Sequence, residues 1–234
     1  MVNGPNPRTY DSHADKERYE SLSRLVRPGD VVIDVGANRG QFSESILKLS
    51  PERIYAFEPS PAVFQELTEI AHQYQELSPI HSAVAERDGT VELHVQEGDL
   101  GSSLLAPLEN QSSAWLSPKE VIKVPAMRLD TFMKERDLNQ IALLKSDAQG
   151  YDGEVLKSAG DFFSPDHIKA ILVELNFHAF YQGQVDFFEL IEMVCNRGYF
   201  LADIFRHYNR EGWLWWADAL FLPNRHPYST QFEQ

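Results

Sequence analysis

Four acidic residues stand where short apolar runs stop. They are Asp34 after Val31-Val32-Ile33, Glu58 after Ile54-Tyr55-Ala56-Phe57, Asp147 after Leu143-Leu144-Lys145-Ser146, and Glu174 in Ile171-Leu172-Val173-Glu174-Leu175. Carboxylates in such places can accept hydrogen bonds from hydroxyls, take a proton from a weak nucleophile, or attract a cation. The first acid is followed by Gly36-Ala37-Asn38-Arg39-Gly40. Glycine can take positive φ and lets a ligand approach the backbone closely. The spacing departs from the dinucleotide fingerprint G-x-G-x-x-G, because Asn38 stands at the middle glycine, the one that admits a pyrophosphate. What is left suits a ligand with an adenosine and no pyrophosphate, of which S-adenosylmethionine is the obvious one. Glu58 follows the first glycine by about twenty residues, the spacing at which an acid ending the second strand accepts ribose hydroxyls.

Such groups need strands to carry them. Val31-Val32-Ile33 has the composition of a buried parallel strand, and Arg27-Pro28-Gly29-Asp30 punctuates the chain before it. Phe42, Ile46, Leu47 and Leu49 then follow a helical spacing. Residues 53–57 read as a second strand, with Ser60 as N-cap and Pro61 as first residue of the next helix. Residues 80–85 read as a third strand, whose exit near Ala83 would lie close to a bound adenine. Asp88-Gly89 turns into the alternating segment 90–95, a hairpin signal. Residues 141–145 and 167–175 are further buried runs, and 199–205 with 213–222 read as a closing antiparallel pair. His81 and His94 fall inside strands as structural histidines. The aromatic residues Trp213, Trp215, Trp216, Tyr199, Phe200 and Phe205 are expected mostly in the core, with one of them or Tyr181 left to stack on a substrate. The βα alternation predicts an α/β fold with a mostly parallel, doubly wound sheet and the acids gathered along one edge.

Composition narrows the class. A chain of 234 residues with 43% hydrophobic content can build one core, and we expect a tail over residues 1–14 and a single domain over 15–234. The formal charge of −14 argues against binding nucleic acid, whose phosphates would be repelled. The lone Cys195 falls in an apolar helical pattern and reads as a structural thiol. The polar, proline-broken N-terminus shows no signal peptide, and no apolar run is long enough to span a bilayer, so a soluble cytoplasmic location without membrane insertion is expected. Asn110-Gln111-Ser112 is a glycosylation sequon only by composition.

Several blocks resemble the FkbM-type family of S-adenosylmethionine-dependent methyltransferases. They are VVIDVGANRGQFS at 31–43, YAFEPSPAVFQEL at 55–67, AVAERDGTVEL at 83–93, MRLDTF at 127–132, IALLKSDAQGYDGEVLKSAG at 141–160, ILVELNFHAFYQGQ at 171–184 and ADALFL at 217–222. The block KSDAQGYDGEVLKSAG is the specific one, although the family often has Glu where this chain has Gln149 and Asp152. The resemblance implies a class I methyltransferase (Rossmann-like) fold, with a seven-stranded sheet and a terminal antiparallel strand. It also implies O-methylation of a hydroxyl on a sugar, glycolipid, polysaccharide or secondary metabolite. By match of position, Asp34, Gly36, Asn38 and Gly40 would cradle the methionine part of the cofactor. Glu58 would hold the ribose, Ala83 would lie near the adenine, and Asp147 would face the reacting centre.

Methyl transfer to a hydroxyl is in-line and benefits from a base. Asp147 is favoured by position and His178 by the natural pKa of imidazole; Glu174 is a third candidate. Asp147, Glu174 and Asn176 could instead ligate a divalent cation such as magnesium, a reading that no compact metal motif favours. The acceptor would be a small molecule or glycan, decided by the loops at 97–118 and 176–186. Two other classes stay open on the residues alone: a noncatalytic S-adenosylmethionine-binding module, and an NAD-dependent oxidoreductase, against which Asn38 speaks. The sequence leaves the oligomeric state open.

Overall fold

The computed structural model describes residues 12–97, 100–109, 116–210 and 212–224. The sequon and most of the expected N-terminal tail lie outside them. The described residues open on helix α1 (Ser12–Leu22), followed by β1 (Val31–Val35), α2 (Gln41–Leu47), β2 (Arg53–Phe57), α3 (Pro61–Ala71) and β3 (Leu77–Ile80). Next come β4 (Ala83–Val84), β5 (Gly89–Gln96), β6 (Pro118–Met127), α4 (Leu129–Glu135), β7 (Leu143–Ser146) and α5 (Asp152–Ser158). β8 (Ile171–Asn176), α6 (Phe187–Cys195), β9 (Tyr199–Arg210) and β10 (Trp213–Pro223) complete it.

Seven strands form one sheet in the order β3-β2-β1-β7-β8-β10-β9. The pairings from β3 through β8 are parallel, and β10 runs antiparallel to both its neighbours. The last strand among the described residues is therefore the antiparallel one, and it lies inside the sheet rather than at its edge. Adjacent residues of β1 face opposite cores. Ile33 and Val35 pack with Leu144 and Val173 under α4, α5 and α6, whereas Val32 packs with Ile54 and Leu143 against Leu22, Phe42, Ile46 and Leu67. Burial on both faces is why these strands read as continuous apolar runs rather than alternating ones.

One expectation is corrected. Residues 80–85 are not a single strand: β3 ends at Ile80, and Ala83–Val84 belongs to a separate three-stranded sheet of order β4-β6-β5. The break is a tight turn in which Ser82 N–H donates to the Ile80 carbonyl at 2.9 Å. His81 therefore sits in that turn, stacked on Phe64 at 4.7 Å. The small sheet is not an appendage, because Ala83, Val84 and Leu93 line the main cleft.

Candidate active site

β1 has β2 on one side and β7 on the other, so the chain leaves it in a crevice between diverging connections, where open α/β sheets bind ligands. A cavity of about 270 Å³ opens there. The turn out of β1 passes hard against the exit of β7. Gly36 has φ +69°, and a Cβ placed on it would collide with the carbonyl oxygen of Asp147. Only glycine fits that crossing. Asn38 also has positive φ, 49°, a region that asparagine enters more readily than most residues. It thereby keeps the turn tight where the dinucleotide fingerprint uses glycine.

That conformation aims the Asn38 N–H at Glu58 Oε2, 2.9 Å away, while Ser60 N–H donates to Oε1 at 2.8 Å. The carboxylate is held by two backbone donors and keeps lone pairs for hydroxyl donors in the cleft. Burial pushes its pKa up to about 7, against the lowering effect of the Ser60 and Asn38 N–H groups. Phe57, Pro59, Ser82, Ala83 and Val84 continue this half of the cavity.

Beneath the crossing lies a buried charge array. Asp34 is fully buried; Ser43 Oγ donates to its Oδ2 at 2.7 Å, and Lys145 Nζ stands 3.0 Å from its Oδ1. Lys145 also donates to the Gly36 carbonyl at 3.0 Å and lies 3.9 Å from Asp147 Oδ2. Burial alone would lower the lysine pKa, but the charges of Asp34 and Asp147 outweigh it and raise the value. The ammonium is thus fixed as a cation that ties β1, β7 and the glycine turn together.

The other half of the cavity continues across β8, β10 and β9. Glu174 faces Asp218, and Asn176 faces Trp216, as cross-strand partners. Burial, with repulsion from Asp147, Asp152 and Asp218, raises the Glu174 pKa well above the usual carboxylate range. Arg18, from α1, enters from above; its Nη1 donates to Asp218 Oδ2 at 2.6 Å and its Nη2 to Asp15 Oδ1 at 2.9 Å. Tyr208 and Trp216 stack at 4.1 Å and 12° at this end of the cleft. Of the other late aromatic residues, Tyr199 and Phe205 are in the core and Trp213 is 70% exposed.

The two loops expected to choose the acceptor form one wall. Gln182 N–H donates to the Ala106 carbonyl at 2.8 Å, and Leu108 N–H donates to the Phe180 carbonyl at 2.9 Å. Leu100, Ser102, Ser103 and Leu104 close over the cavity from this wall.

Gly36, Asn38, Glu58, Ala83, Asp147 and Glu174 all line the cavity. Asp34 and Gly40 do not: Asp34 lies below the turn, and Gly40 is the N-cap of α2. His178 also stands apart, exposed and 5.6 Å from the Trp215 ring. Asn176 lines the cavity beside Glu174 and donates to its Oε2 at 3.3 Å. Among the described residues, no group of three or more His, Cys, Asp or Glu side chains is arranged to hold a metal ion. Sequence reasoning missed Lys145, Arg18 and Asp218. Lys145 carried a signal, since a lysine inside a buried apolar run must have a charged partner.

A family model described as the Methyltransferase FkbM domain matches residues 34–201, from the buried acid of β1 into β9. The chain belongs to the FkbM methyltransferase family. A relative, the 2-O-methyltransferase NoeI of Sinorhizobium fredii, is 26% identical over 188 residues, covering 76% of each chain. The crystal structure of an FkbM methyltransferase from Methylobacillus flagellatus matches with a TM-score of 0.54 at 13% identity, over 87% of this chain and 50% of that one. The chain therefore spans about half that protein's length. Fibrillarin from Aeropyrum pernix, solved with natively bound S-adenosyl-L-methionine, matches at a TM-score of 0.50 and 12% identity, over 88% of this chain and 74% of that one. At these identities the two structures speak for the class I methyltransferase fold alone. No helix among the described residues is long and apolar enough to cross a membrane.

Proposed function

We propose that residues 15–234 form one catalytic domain that transfers the methyl group of S-adenosylmethionine to a hydroxyl of a sugar, glycolipid, polysaccharide or secondary metabolite. The observation that carries this reading is a cleft of two halves meeting at Asp147. The Glu58 half has the groups an adenosine needs, and the β8-β10-β9 half has groups that suit a polyhydroxylated acceptor. When bound, the cofactor supplies an electrophilic methyl group. Glu58 accepts the ribose hydroxyls, Ala83 and Val84 flank the adenine, and the backbone of Gly36 and Asn38 lies beside the methionine portion. Asp34 and Gly40 act from behind, by setting the turn.

Asp147 is the residue we assign to take the acceptor proton. It lines the cleft at the junction of the two halves, and its charge also favours a cationic cofactor. Glu174, whose pKa burial and neighbouring carboxylates raise well above the usual carboxylate range, offers the acceptor a hydrogen-bond donor whenever it is protonated. His178 has no role in this scheme. Asn176, Asp218 and the Tyr208–Trp216 pair provide amide, carboxylate and aromatic contacts for the acceptor. Holding the hydroxyl on the line of attack is worth much of the barrier. The name of the NoeI relative supports a hydroxyl oxygen as the atom methylated. The net charge of −14 supports a small or glycan acceptor over nucleic acid. The single cysteine, which rules out a disulfide within the chain, supports a cytoplasmic location.

The test is methyl transfer from labelled S-adenosylmethionine to a panel of methyl glycosides and polyhydroxylated natural products. Labelled ether product is expected with the wild type. Asp147→Asn should lose at least about a hundredfold in rate, the usual size of a general-base effect, with S-adenosylhomocysteine affinity retained. Near-normal turnover by Asp147→Asn would remove Asp147 from the mechanism. A wild type that binds cofactor and methylates nothing would favour a noncatalytic module.

A further inference from the structure

Gln149 is the second residue after Asp147, and its backbone is held in the left-handed region at φ 54°, followed by Gly150 at 86°. A non-glycine residue there costs of order 1 kcal/mol or more and persists only when its surroundings hold it. Here they do, on three sides. Gln149 Nε2 donates to Asp147 Oδ1 at 2.7 Å. Its Oε1 lies 3.3 Å from the Tyr181 hydroxyl, whose single hydrogen is shared between that oxygen and the Gly101 carbonyl, 3.0 Å away. Ser103 Oγ donates to the Gln149 carbonyl at 2.7 Å. Gly150 lets the Tyr181 ring approach, because a Cβ there would lie 2.8 Å from the ring.

The network fixes which way the amide faces. Turned over, it would put its oxygen against the Asp147 carboxylate, so only the nitrogen-inward orientation is favourable. With Oδ1 engaged by the amide, the Asp147 oxygen outside that bond is Oδ2, which lies 3.9 Å from Lys145 Nζ. The same chain of bonds runs out to Gly101 and Ser103, in the wall that closes over the acceptor half.

We propose that Gln149 is a positioning residue for methyl transfer: its amide orients the Asp147 carboxylate, and Tyr181 locks that amide and couples it to the acceptor loop. This inference rests on Asp147 acting as the base. A glutamate at position 149, the residue the resemblance often gives, would stand 2.7 Å from Asp147 as a second carboxyl and could hold it only through a shared proton, whereas the amide donates at every pH. Other ionisable groups face the pair. Lys145 comes from β7 just before the pair, Asp34 from β1 beyond it, Glu174 from β8, Asp152 from α5 and Tyr181 from the loop; Asp218 of β10 acts through Glu174 and Lys145. All of them are unchanged in substitutions at Gln149, and Tyr181 alone changes in Tyr181→Phe.

The experiment is a pH titration of the Asp147 carboxyl carbon by 13C NMR in selectively labelled protein, with Asp147→Asn giving the assignment. No acceptor is needed. Gln149→Leu, which removes the amide donor without adding a charge, and Gln149→Glu should both move the Asp147 midpoint upward, because each takes away a hydrogen bond that favours the ionised form. Tyr181→Phe, which keeps the ring packing, should move it in the same direction by less. An unchanged midpoint in Gln149→Leu, with the protein folded by circular dichroism, overturns the proposal. If Gln149→Leu does not fold, an unchanged midpoint in Tyr181→Phe overturns it instead. Asp147 as base is judged separately, by turnover of Asp147→Asn.

Discussion

Lys145→Met would leave the Asp34 carboxylate buried with only Ser43 beside it among the partners seen here. Removing one partner of a buried ion pair costs about 3–5 kcal/mol, more than most surface changes by several-fold. We expect a loss of that order in urea denaturation; a change below 1 kcal/mol would mean that the ion pair is not a buried one. Glu58 carries a different kind of information. Its placement after β2 was readable from spacing, and Asn38 looked like a missing glycine. The structure shows that the two belong together, because the left-handed turn at Asn38 is what points an N–H at Glu58. Lys145 could have been read as well, since an ammonium in a buried run demands a carboxylate. Arg18 and Asp218 could not: they are 200 positions apart, and nothing local in either segment announces the other.

At the scale of elements, the crossing of β1 and β7 is the tightest joint in the site. Gly36→Ala places a methyl group against the Asp147 carbonyl and demands positive φ from alanine. The two strand exits must then move apart, and with them Asn38 and Asp147. We expect S-adenosylhomocysteine affinity to fall at least about tenfold, since a turn built for close backbone approach tolerates no side chain. Unchanged affinity measured by calorimetry would show that the ligand does not use this turn. Most strands were legible because burial on both faces makes continuous apolar runs. The division between β3 and β4 was not, because the turn at His81-Ser82 contains neither glycine nor proline. The position of β10 between β8 and β9 was hidden for another reason: chain order does not determine spatial order within a sheet. The same holds for the wall formed by residues 100–109 and 180–184, which depends on pairing between segments far apart in sequence.

For the molecule as a whole, the sheet order divides the cavity into a half over β2, β1 and β7, which our proposal gives to the cofactor, and a half over β8, β10 and β9, which it gives to the acceptor. The small sheet closes the first half, and α1 with the paired loops closes the second. The central claim is that Glu58 and the glycine turn hold the ribose end of S-adenosylmethionine. Ribose hydroxyls donate to the ionised carboxylate, whose pKa in the free protein is pushed up to about 7 by burial. Binding must therefore expel a proton below that pH, so affinity should rise with pH and level off above it. Calorimetric titration with S-adenosylhomocysteine at pH 6 and pH 8 tests this most directly. Linkage through a group of that pKa gives roughly tenfold tighter binding at pH 8, and Glu58→Gln should bind more weakly at pH 8 with most of the pH dependence gone. Equal affinity at both pH values in the wild type, or a Glu58→Gln variant that behaves like it, would contradict the account.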